Sequence, residues 1–69
     1  MISAGMKAVL EAVRDTMPFA TYTDLEPKVD MCERILTSHL KRLTVKGYLV
    51  YDKGTYVITP EGEDLLNGS

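Results

Sequence analysis

The chain has no tryptophan, one phenylalanine, one histidine and one cysteine. A lone Cys32 excludes an internal disulfide framework and suits a reducing compartment, so a cytoplasmic setting is expected. A lone His39, with no Cys, Asp or Glu at ligand spacing, fits a packed or exposed side chain better than a metal ligand. No apolar run approaches the roughly 18 residues of a membrane span. The first seven residues lack the basic region and apolar block of a signal peptide. Repeats, low-complexity stretches and linkers are absent too. No nucleophile stands at a telling distance from His39, no Gly-rich loop could cradle phosphate, and paired carboxylates occur only at helix-cap positions. Neither an enzyme nor a bound cofactor or metal is expected.

Strong positive charge is also missing. A formal net charge of -2 speaks against a sequence-blind nucleic-acid binder. The distribution says more than the total. Residues 1–30 carry three bases against five acids. Residues 31–53 carry five bases (Arg34, Lys41, Arg42, Lys46, Lys53) against Glu33 and Asp52, and residues 54–69 carry only Glu61, Glu63 and Asp64. A basic island in an acidic chain is the polarity expected where one face meets phosphate. With 69 residues, 45% of them hydrophobic, there is enough for one small domain spanning 1–69. So small a core is marginal alone, which favours help from a partner chain or a docked terminal helix.

Hydrophobic spacing sets the elements. Met6, Val9, Leu10, Val13 and Met17 form the stripe of an amphipathic helix over about Ala4–Thr16, with Ser3 as cap and Pro18 as stop. Phe19 to Tyr22 is short and β-prone. Thr23-Asp24-Leu25-Glu26 matches a capping box, with Thr23 as cap and Glu26 reaching back, opening a short second helix over Leu25 and Val29. Pro27 fits the fourth position of that helix poorly and would suit the first position of a shorter one. Asp30 to Glu33 is a turn. Leu36, Leu40 and Leu43, with Met31 one turn earlier, give the dry face of a third helix over residues 31–46, and Gly47 stops it. Tyr48–Tyr51 and Thr55–Thr59 flank Asp52-Lys53-Gly54 as a hairpin. Thr59 caps a last helix with Pro60 at its first position and Glu61, Glu63 and Asp64 at its positive end.

Two segments carry a family resemblance. Leu36-Thr37-Ser38-His39-Leu40-Lys41-Arg42-Leu43, running on to Lys46-Gly47-Tyr48-Leu49-Val50, resembles the recognition helix and first wing strand of MarR-like and PadR-like regulators. Tyr56-Val57-Ile58-Thr59-Pro60-Glu61-Gly62 resembles the Y-x-L-T-x-x-G segment that follows the wing in those proteins. Together they cover about half the chain, in order and joined by a hairpin. The resemblance implies an α+β winged helix-turn-helix: three helices, a wing of two or three strands and a short C-terminal helix. It further implies sequence-specific binding of double-stranded DNA by a small transcriptional regulator.

The expected contacts are Arg34, Thr37, Ser38, Lys41 and Arg42 on the third helix, with Lys46 and Lys53 on phosphate. A solvated helix face would carry the same residue types. Departures from the family pattern limit the expectation. The wing turn is short and offers Lys53 beside Asp52, so minor-groove reading by the wing is not expected. The long terminal helices of MarR-like chains have no counterpart in 69 residues, so no small-molecule effector is expected. One module buries little surface, so a homodimer through the first or last helix, or a partner protein, is expected alongside DNA. The rival expectation is a winged helix used as a protein-interaction module, an adaptor or inhibitor of another regulator, which the acidic total and short wing favour.

Overall fold

The computed structural model describes residues 3–16 and 19–68. Met17 and Pro18, the expected last member of the first stripe and its stop, lie outside them. The elements run α1 (Ala4–Asp15), β1 (Ala20–Thr21), α2 (Tyr22–Leu25) with a 3₁₀ turn (Glu26–Lys28), α3 (Glu33–Val45), β2 (Leu49–Asp52), β3 (Thr55–Ile58) and α4 (Pro60–Asn67). The α+β class is as expected, and the wing has three strands in the order β1-β3-β2, both pairings antiparallel. No described helix is long and apolar enough to cross a membrane.

Helix α1 starts where Ser3 accepts a hydrogen bond from the Met6 amide at 3.2 Å. Its stripe of Met6, Val9, Leu10, Ala12 and Val13 is buried. Helix α3 lays Leu36, Leu40 and Leu43 against it, all three out of water. Each such leucine contributes about 2–3 kcal/mol relative to leaving it exposed. Leu25, Leu49, Ile58 and Leu66 close the core from α2, the sheet and α4.

The expected capping box is displaced by two residues. Thr21, not Thr23, caps α2: its hydroxyl accepts from the Asp24 amide at 3.3 Å, while Asp24 Oδ2 accepts from the Thr21 amide at 3.1 Å. Strand pairing decides this. Thr21 is held extended opposite Thr55, so its oxygen is the one that faces the first helical turn. Thr23 falls inside the helix, and Glu26 opens the 3₁₀ turn that accommodates Pro27. The Thr21 amide foremost, and the Thr21 hydroxyl after it, hold the Asp24 carboxyl below the ordinary carboxylate range.

Helix α3 is slightly shorter than expected, Glu33–Val45 in place of 31–46, with Cys32 at its N-cap. At its far end Gly47 takes φ +86°, the Tyr48 amide donates to the Leu43 carbonyl at 3.0 Å, and the Gly47 amide donates to Thr44 at 3.1 Å. This Schellman pattern turns the chain straight into β2. The hairpin closes through Lys53 and Gly54, both at positive φ, which is the two-residue turn that matches the twist of paired strands.

Thr59 ties the wing to α4. Its hydroxyl donates to the Gly47 carbonyl at 2.7 Å and accepts from the Gly62 amide at 3.1 Å, and its own amide donates to Tyr48. Thr59→Ala removes both hydroxyl bonds and should cost about 1–2 kcal/mol. In a domain of this size that lowers the melting temperature by roughly 5–15 °C in thermal circular dichroism. An unchanged midpoint would show that water replaces the hydroxyl at no cost.

Candidate nucleic-acid interface

Because Leu36, Leu40 and Leu43 face the core, the helical period sends Arg34, Ser38, Lys41 and Val45 to the opposite side of α3. All four are exposed. Arg42 and Lys46 flank them on one side, and Thr37 and Thr44 on the other. Ser38, Lys41, Arg42, Val45 and Lys46 line a shallow depression of about 390 Å³. Thr37, Lys41 and Thr44 form one wall of a second cleft, of about 200 Å³, whose other wall is Tyr51 and Tyr56 of the wing. Lys41 is common to both.

Arg34, Lys41, Arg42 and Lys46 form no ion pair among the described residues, where the one such contact joins Arg14 to Asp15 at 3.6 Å. Four cations thus stand on one helix and its C-cap with their charge uncompensated, on the side turned away from the core. Lys53 is exposed in the hairpin turn and lines neither depression. Of the seven expected contacts, six therefore share α3 and its C-cap, and one stands apart at the wing tip.

The family match rests on nearly the whole of this architecture. The winged helix-turn-helix family matches residues 6–68. The chain belongs to the winged helix-turn-helix family. No curated protein matches it. Among solved structures, it is similar to Bordetella bronchiseptica BpsR, whose DNA binding is regulated by 6-hydroxynicotinic acid. The TM-score is 0.85 at 20% identity, covering 97% of this chain and 51% of the other. At that identity the likeness establishes the fold, and the winged helix spans about half the length of the Bordetella protein.

Within this winged helix, α2 occupies the position of the first helix of the helix-turn-helix. It is a poor phosphate binder. Asp24, Glu26 and Asp30 are exposed there, and the one base, Lys28, donates from Nζ to Thr16 at 2.7 Å toward α1. Tyr22 opens α2, and its hydroxyl is shielded from water beside Thr37 of α3. Burial, helped by the carboxylates of Glu33 and Glu26, raises its phenol above the ordinary value, and the nearby Thr37 hydroxyl works the other way.

His39, placed at the edge of the dry face by sequence, is half-buried and abuts α1. A Cβ built on Gly5 would come within 2.9 Å of its Nε2. It is a packing residue and stands off the polar face. Cys32 is exposed at the helix start. Sequence reasoning missed Val45 as a surface residue, although it is 80% exposed among the bases. The alternation Leu-x-x-x-Leu-x-x-Leu would have found it, since residue 45 falls opposite the leucines. It also missed the tyrosines as a wall of the cleft, which depends on strand register and has no local signal.

Proposed function

We propose that this winged helix is a DNA-binding transcriptional regulator of the cytoplasm that lays α3 in the major groove of a specific duplex site. The observation that carries the proposal is the set of four exposed cations on α3 and its C-cap with no ion-pair partner among the described residues. Arg34, Lys41 and Arg42 provide forked or point-like donors, and Thr37 and Ser38 provide hydroxyls for base edges or phosphate. Lys46 and Lys53 position the protein on the backbone. Acidic α2 adds little attraction, and each strand of the hairpin is four residues long. Tight binding therefore calls for two copies on a two-fold site, joined through α1 or α4, or for a neighbouring protein.

A specific observation also favours the second reading, a protein-interaction module. Leu49 and Ile58 pair across the hairpin and face the core, so the next pair, Val50 and Val57, faces outward and is exposed. Extending the β1 register by one residue puts Phe19, 52% exposed, opposite Val57. The outer face of the hairpin thus carries an exposed apolar pair, with exposed Phe19 just before β1.

Fluorescence anisotropy with mixed-sequence duplex DNA at about 50 and about 200 mM salt separates the two. Four to five phosphate contacts predict roughly a 100- to 500-fold loss of affinity across that range. Absence of binding at tens of micromolar in the lower salt would reject the DNA reading in favour of the apolar sheet face.

A further inference from the structure

We propose that the cleft between α3 and the wing is a seat for one sugar–phosphate unit of the duplex backbone, held by the phenol hydroxyls of Tyr51 and Tyr56 together with Lys41 and Thr37. The proposal rests on the DNA-binding reading above and adds wing residues to it.

Strand register builds the site. Tyr51 and Tyr56 are direct cross-strand partners, and alternation along each strand turns them to the same side as Leu49 and Ile58. Beyond the end of the core this side looks onto α3. The two rings stand 4.9 Å apart between centroids at 50° to one another, and together they face Thr37, Lys41 and Thr44 across the cleft. Thr44 donates its hydroxyl to the Leu40 carbonyl at 2.8 Å, so its proton is committed. Neither the Tyr51 nor the Tyr56 hydroxyl has a hydrogen-bond partner among the described residues, and Lys41 has neither a hydrogen bond nor an ion pair there. Three unspent donors therefore converge on one opening.

The chemistry of the walls selects the occupant. Two aromatic faces match the carbon skeleton of a deoxyribose, and the hydroxyls and the ammonium match the anionic oxygens beside it. Burial, with Tyr51 adding, raises the Tyr56 phenol above its ordinary value. The volume, about 200 Å³, is below the roughly 300–1,000 Å³ usual for a small-molecule pocket, which disfavours an effector there. Because Thr37 and Lys41 belong both to the cleft and to the polar face of α3, a duplex on that face runs its backbone past the opening.

A neutral hydroxyl and a cation leave different marks on binding. Loss of a lysine–phosphate contact makes the log-log salt slope shallower by about 0.9, whereas loss of a phenol contact releases no fewer counterions. The test compares the full chain with Tyr51→Phe, Tyr56→Phe and the double variant. Each is titrated by anisotropy against a selected duplex and against a scrambled one, over a range of salt. We expect roughly 10-fold weaker binding per hydroxyl lost, with the salt slope and the specific-to-scrambled ratio unchanged. Lys41→Ala should instead flatten the slope. Duplexes carrying a single neutral methylphosphonate, scanned along the site, should reveal one position that weakens the wild type more than the double variant, which keeps only the Lys41 and Thr37 side of the seat.

Wild-type affinity in the double variant, with the wild type itself binding DNA steeply with salt, would overturn this inference alone. So would a changed specificity ratio, which would make the tyrosines base readers. Failure of the wild type to bind any duplex would overturn both readings. Should the double variant melt early, Tyr51→Phe decides the matter, since that side chain is 54% exposed and its ring is kept.

Discussion

Replacing Lys41 and Arg42 together by alanine is expected to weaken duplex binding by roughly 100-fold or more, since one good arginine–guanine fork is itself worth about 1–3 kcal/mol. The salt slope should become shallower by about 0.9, the share of the one phosphate contact made by Lys41. Both residues are exposed and unpaired among the described residues, so the fold should be nearly indifferent, with stability changed by about 0.5 kcal/mol or less. The combination is diagnostic. Lost binding with an unchanged melting curve assigns the face to DNA. Retained DNA binding with the double change would sink the α3 interface, whatever other surface proved responsible. Under the protein-interaction reading the same variant keeps its partner, because the exposed apolar pair of Val50 and Val57 belongs to the outer face of the hairpin.

Gly62→Ala is expected to give a large loss of stability for the addition of one methyl group. A Cβ at residue 62 would be driven into the Tyr48 carbonyl oxygen and to 2.8 Å from Ile58 Cγ1. The carbonyl is backbone, already bonded to the Thr59 amide, and has nowhere to move. Overpacking of this kind costs about 3 kcal/mol. The higher helix propensity of alanine returns about 1 kcal/mol of it. The net of about 2 kcal/mol should lower the melting midpoint by roughly 8–16 °C for a domain of this size. Helical signal should fall as well, if α4 is displaced from the wing. A midpoint within a few degrees of wild type would show that α4 shifts on the sheet without cost. The glycine of the Thr59-Pro60-Glu61-Gly62 segment would then need another explanation.

This close approach also explains why the Tyr56–Gly62 segment was so legible in the sequence. Its threonine, proline and glycine each answer a local demand. The cap needs an oxygen, the first helical position tolerates a missing amide proton, and the backbone crossing leaves no room for a side chain. Gly47 was legible for a similar reason, because a left-handed residue must follow a helix that turns at once into a strand. The stripes of α1 and α3 follow from the 3.6-residue period alone. Local chemistry and periodicity thus determined the order of elements, the dry face of α3 and, by exclusion, the polar set from Arg34 to Lys46.

What depends on distant partners was decided by the tertiary structure. The start of α2 moved from Thr23 to Thr21 because strand pairing with Thr55, some thirty residues downstream, fixes which threonine is extended. His39 was ambiguous until α1 supplied Gly5 as its neighbour. The tyrosine wall of the cleft, and the outward row of Val50 and Val57, exist only through the register of β2 on β3. A one-residue slip there would exchange the two faces and destroy both. Spacing along the chain is enough to show which helix carries the charge. Register and packing decided what stands beside that helix, because contacts between residues far apart in the chain leave no periodic or capping signal in the sequence.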